Sequence, residues 1–115
     1  IKNITMTQQV KHLLVLITCP GSITAKKIAN DVVIEKLGAC VQVISGVQSF
    51  FRWQNRVDTS EELLLLIKTT TERYPDLENR IKTLHPYEVP SVIAIPITDG
   101  LDTYLSWIDS NTAKK

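Results

Sequence analysis

The chain has only two cysteines, Cys19 and Cys40, in 115 residues. That is too few for a disulfide framework and points to a reducing, cytoplasmic setting. It also lacks any surplus of charge. The formal net charge is +1, which leaves no electrostatic footprint for nucleic acid or an anionic membrane. No apolar run approaches the roughly 18–20 residues of a membrane span, and Leu13–Ile17 is too short for one. No small-residue cleavage site follows that run, so a signal peptide is not expected. Glycine-rich phosphate loops and a serine nucleophile elbow are both missing. These absences speak against nucleotide-binding loop enzymes, serine hydrolases and organic cofactors, and the expectation is a non-enzyme.

What is present fits a single soluble domain over residues 1–115, with 1–11 and 111–115 expected to fray. Hydrophobic residues make up 43% and charged residues 22%, ordinary values for a globular chain. Leu13–Ile17 is a continuous apolar run and predicts a strand buried on both faces. Thr18-Cys19-Pro20-Gly21-Ser22 is a turn, with Ser22 placed to cap a helix. Ala25, Ile28, Ala29, Val32, Val33 and Leu37 recur at helical spacing. Gly38 stands where a terminal glycine belongs, so the first helix is expected over 23–37.

Residues 40–53 read as a second strand, interrupted by a bulge at Ser45-Gly46. Gln54-Asn55-Arg56 is a hairpin turn, with Asn55 able to take positive φ. A third strand follows, ending in Leu63–Ile67. The two strands make a ribbon longer than the core. Thr71 is placed to cap a second helix with inner residues Tyr74, Leu77, Ile81 and Leu84, and Pro75 fits only its first turn. Val92–Ile97 is the fourth strand. Leu101, Tyr104, Leu105 and Ile108 give a short last helix, with Tyr104 and Trp107 expected in the core. The order β-α-β-β-α-β plus a C-terminal helix is the α+β, ferredoxin-like pattern.

Three strands are apolar throughout, although helices cover only one sheet face in this pattern. The second face would expose a patch larger than soluble monomers usually carry. Oligomerisation is therefore expected, with Phe50, Phe51 and Trp53 on the ribbon as interface anchors.

Between helix two and the last strand lies His85-Pro86-Tyr87-Glu88-Val89-Pro90, three polar side chains held between prolines. His85 has two readings. It is a metal ligand, joined by Glu88, Cys19 or Cys40 in a copper or zinc site, or it is a connector histidine bonded to backbone. Cys40, if buried, reads first as a small hydrophobe, the alternative being a soft metal ligand or redox thiol. Tyr87 and Glu88, with Lys68 and Glu61, line a small-ligand cleft or satisfy buried polar groups at an interface. His12 reads as a surface residue.

The connector resembles the signature of the CutA family of divalent-cation tolerance proteins. Thr18-Cys19-Pro20, Leu37-Gly38-Ala39-Cys40-Val41, Ser45-Gly46-Val47-Gln48-Ser49 with Trp53, Ile67-Lys68-Thr69 and Tyr104-Leu105-Ser106-Trp107 follow in the order that family has. The resemblance covers Leu13 to Asp109. It implies the ferredoxin-like fold, a homotrimer whose ribbon reaches a neighbour, and a role in copper-type or other divalent metal tolerance. Bacterial relatives proposed to bind copper carry a cysteine and a further histidine where this chain has Ile17 and Leu84. Two other readings stand beside that one: a ligand-sensing trimer like the PII signalling class, and a structural trimer that anchors another protein. Acylphosphatases share the fold but place an arginine in the loop after the first strand, and Thr18–Ser22 has no cation. RNA-binding sheets of this topology display central aromatics; the central strands here are aliphatic.

Overall fold

The computed structural model describes residues 10–114. Strands β1 (His12–Cys19), β2 (Cys40–Trp53), β3 (Arg56–Thr70) and β4 (Val92–Ile97) form one antiparallel sheet in the order β2-β3-β1-β4. Helices α1 (Ser22–Ile34) and α2 (Tyr74–Leu84) connect them, and α3 (Asp102–Thr112) closes the chain. This is the expected ferredoxin-like order.

The core lies between one sheet face and the first two helices. Val15, Ile17, Leu65 and Ile67 point into it and meet Ala25, Ile28, Val32, Leu77 and Ile81, all fully buried. The apolar run of β1 nevertheless alternates in burial along its whole length. Leu14 and Leu16 face the other side and are only half-buried, so the expectation of burial on both faces fails within one chain. α3 shields one end of that second face. His12 Nε2 bonds Asp109 at 2.8 Å, and Lys68 Nζ lies 5.5 Å from the Tyr104 ring centre. The remainder is open, with Ile93 55% and Ile95 44% exposed.

α1 ends in a Schellman motif. The Leu37 amide donates to the Val32 carbonyl at 2.9 Å and the Lys36 amide to Val33 at 3.1 Å. The left-handed residue is Lys36, at φ 59°, rather than Gly38. Gly38 is needed for a different reason. A Cβ there would lie 2.6 Å from Ile67 Cγ2 and 2.9 Å from Val32 Cγ1. The backbone crosses the core so closely that only glycine fits. Arg73 secures the same corner by donating to the Lys36 and Glu35 carbonyls.

Neither expected side-chain cap forms. Ser22 is already helical behind Gly21, and the Thr71 hydroxyl donates to the Val10 carbonyl. That bond, with the Thr71 amide on Lys11, holds residues 10 and 11 to the domain. Fraying of 1–9 and 115 lies outside the described residues. Fraying from Asn111 is corrected: α3 continues to Thr112, which is buried. Tyr104 and Trp107 are not core residues. They stack 5.5 Å apart and remain more than a third exposed, while Ile108 fills the buried position. His12 is largely buried through its bond to Asp109, so its assignment to the surface is also corrected.

The ribbon turns on Gln54 and Asn55, both at positive φ (50° and 67°), as a two-residue type I′ hairpin turn requires. The register between β2 and β3 shifts between Ile44 and Val47, at Ser45-Gly46, with Gly46 at φ 81°. β1 ends opposite Leu63. The arm from there to Arg56 therefore projects about 23 Å at strand rise.

Candidate functional site

The connector sits where that arm leaves the sheet. Helix α2 must stop at Leu84, because Pro86 forces His85 into extended geometry, φ −82° and ψ 137°. The His85 ring then lies against the end of β1. Nε2 meets the Thr18 carbonyl at 2.7 Å, and Nδ1 accepts the Tyr87 amide at 3.2 Å. A carbonyl only accepts, so Nε2 carries the proton and Nδ1 supplies its lone pair. Both nitrogens are used, and the side chain is only 6% exposed. His85 ties the connector to β1, which is the backbone-bonded reading of this histidine.

This tie aims Tyr87. Its ring packs 4.7 Å from the His85 ring, tilted by 57°. Its hydroxyl donates to Glu62 Oε2 at 3.0 Å. Burial, and then the bond to the Glu62 carboxylate, push the tyrosine hydroxyl above its ordinary pKa. Glu62 is 7% exposed, an unusual burial for a carboxylate. Burial, helped by the negative charge of Glu62, raises the Cys19 thiol to about 11. Cys19 is fully buried and protonated at neutral pH, so it offers no thiolate.

The structure does not gather the proposed metal ligands. Cys40 pairs with Lys68, which pairs with Leu14, whereas Cys19 lies at the far end of β1. Five residues of strand separate those ends, about 17 Å. Glu88 is exposed on the connector. Among the described residues no three His, Cys, Asp or Glu side chains are grouped to hold a metal ion.

The expected ligand cleft is also redistributed. Lys68 bonds Gln42 at 2.9 Å near α3, about 20 Å of strand from Glu62. Glu61 lies on the opposite ribbon face, across from Gln48. Tyr87 and Glu88 do line a cleft of about 730 Å³, together with Asp58, Ser60, Glu62, Phe51 and Trp53. Sequence reading missed Asp58, Ser60 and Glu62. Their even spacing puts them on one strand face, but only the register shows that this face meets the connector. The ribbon aromatics divide likewise, with Phe51 and Trp53 lining the cleft and Phe50, opposite Thr59, on the outer face.

Comparison with known proteins agrees with this architecture. A curated relative, the "Divalent-cation tolerance protein CutA" of Thermus thermophilus, is 49% identical over 98 residues, 85% of this chain and 95% of its own length. "Protein CutA, chloroplastic" of Arabidopsis thaliana is 40% identical over 106 residues, covering 92% of this chain and 58% of the plant protein. The solved structure of the divalent cation tolerance protein (Cut A1) from Thermus thermophilus superposes with a TM-score of 0.87 at 47% identity, covering 89% of this chain and 99% of that one. The family profile described as CutA1 divalent ion tolerance protein matches residues 13–111, and the chain belongs to that family.

Proposed function

We propose that this chain serves divalent metal-ion tolerance, copper included, as a non-catalytic homotrimer in the cytoplasm. Family membership supports the metal-tolerance role. The observation that supports assembly is the uncovered sheet face. Ile44, Ile93 and Ile95 are exposed on it beside half-buried Leu14, Leu16, Leu64 and Leu66. Continuous apolar surface of this kind seeks a partner, and the ribbon carries exposed Phe50 out to where a neighbour would sit. Two free thiols suit a reducing compartment. Metal contact falls to exposed groups such as Glu88, because the His85 lone pair is already engaged. Equilibrium dialysis against Cu(II), Zn(II) and Co(II) tests direct handling. Weak uptake that His85→Ala leaves unchanged is expected. No uptake of any ion, with unaltered copper tolerance in cells lacking the protein, would refute the role.

A second reading is favoured by the cleft beside Tyr87: a small-ligand sensor of the PII type, in which the trimer reports a bound ligand. A thermal-shift screen against small metabolites tests it, and no stabilisation by any of them would count against it.

A further inference from the structure

The cleft between the ribbon and the connector has a definite charge and a definite wall. Asp58, Glu62 and Glu88 contribute carboxylates, and among the described residues no lysine, arginine or histidine lines it. Phe51, Trp53 and Tyr87 contribute aromatic surface. Glu62 is the most buried of these carboxylates. It is 7% exposed, yet among the described residues it makes no ion pair with any cation. Among the described residues its one side-chain partner is the neutral Tyr87 hydroxyl on Oε2. Buried carboxylates are normally matched by a positive charge.

We propose that the cleft binds a small organic cation, a protonated amine or guanidinium, between the carboxylates of Asp58, Glu62 and Glu88 and the rings of Phe51, Trp53 and Tyr87. This rests on the small-ligand reading above and names the class of ligand. Two alternatives fit less well. A nucleotide or other phosphate would meet three carboxylates and no cation. A metal ion needs convergent ligands, and the acidic side chains are not grouped closely enough to hold one. A polar-headed organic cation needs only diffuse negative charge and aromatic faces, which attract it through the ring quadrupole. The cleft volume, about 730 Å³, lies within the usual range for small-molecule sites.

The test uses the assembled full chain with Trp107→Phe, which leaves Trp53 as the only tryptophan. Its fluorescence is followed during titration with choline, spermidine and agmatine, and separately with ATP and zinc chloride. Saturable change with at least one organic cation below about 10 mM is expected, weakened about tenfold or more by Glu62→Gln. The mass by light scattering should not change. Should Glu62→Gln fail to fold, Glu88→Gln, at an exposed position, decides with the same readout. Binding by none of the three cations, or binding indifferent to the variant, overturns the inference. A Glu62→Gln variant that dissociates the assembly also overturns it, because a second copy would then supply the missing cation. Binding of ATP alone overturns the organic cation while sparing the sensor reading. Binding of no probe at all counts against both.

Discussion

Replacing His85 by alanine should destabilise the fold without removing a metal ligand. Deleting the ring leaves the Thr18 carbonyl without its Nε2–H donor and the Tyr87 amide without its Nδ1 acceptor. An orphaned buried polar group costs about 1–3 kcal/mol, less where water can enter. Loss of a ring only 6% exposed adds a packing term. A total of about 2–4 kcal/mol follows, most of it retained in His85→Leu, which restores volume but no hydrogen bond. Urea unfolding at fixed protein concentration, with fluorescence and circular dichroism in parallel, reads this directly. Because Tyr87 is aimed by the same ring, its bond to Glu62 should loosen too. A loss below about 0.5 kcal/mol for both variants would refute the reasoning, since a side chain outside the load path behaves that way.

Four further outcomes follow. Lys36→Gly should stabilise by about 0.5–1 kcal/mol, because Lys36 occupies the left-handed position of the Schellman turn at φ 59°, and thermal unfolding reads it. Gly38→Ala should destabilise by about 1–3 kcal/mol, since the added Cβ meets Ile67 and Val32 inside contact distance; an unchanged midpoint would contradict that close approach. Arg80 clasps Asp31 by donating from Nε to Oδ1 at 2.7 Å and from Nη2 to Oδ2 at 2.6 Å, and this bonding holds the carboxyl below its ordinary value of 3.8. The folded state thus keeps Asp31 ionised where the unfolded chain protonates it. The stabilisation is present above 3.8 and disappears as pH falls through the folded value, so Asp31→Asn should lose stability at pH 7 and match wild type in strong acid. Iodoacetamide at pH 9 should label Cys40 well before Cys19, whose thiol is raised to about 11; equal labelling in the folded protein would be inconsistent with its burial.

How far the sequence was legible depended on the range of the interaction. β2 and β4 were placed to their end residues, because Pro90 and the Gln54-Asn55 turn punctuate them locally. The bulge at Ser45-Gly46 was legible for the same reason. Helix ends were less so. A glycine near a helix end suggests a left-handed terminus, but here Lys36 takes that role and Gly38 serves a contact with Ile67, 29 residues on in the chain. Thr71 looks like a cap until β1 is in place, when its hydroxyl finds the Val10 carbonyl. The chemistry of His85 was least accessible. Its partner is a backbone carbonyl 67 residues away, and no residue type signals that. Lys68 and Glu61 were grouped with Tyr87 on polarity alone. Strand register puts Lys68 at the other end of β3 and replaces Glu61 by its neighbour Glu62. The aromatic residues of α3 differ from expectation because Ile108 and Thr112 take its buried positions, leaving Tyr104 and Trp107 partly exposed.

The most direct test concerns the uncovered sheet face, on which the reading of this chain as an assembling protein depends. The mass of the reduced protein in solution, by light scattering across a dilution series, decides it. The account predicts three times the 13.0 kDa of one chain, stable on dilution. A stable 13.0 kDa species would contradict it, because Ile93, Ile95 and the leucines beside them would then face water in every molecule.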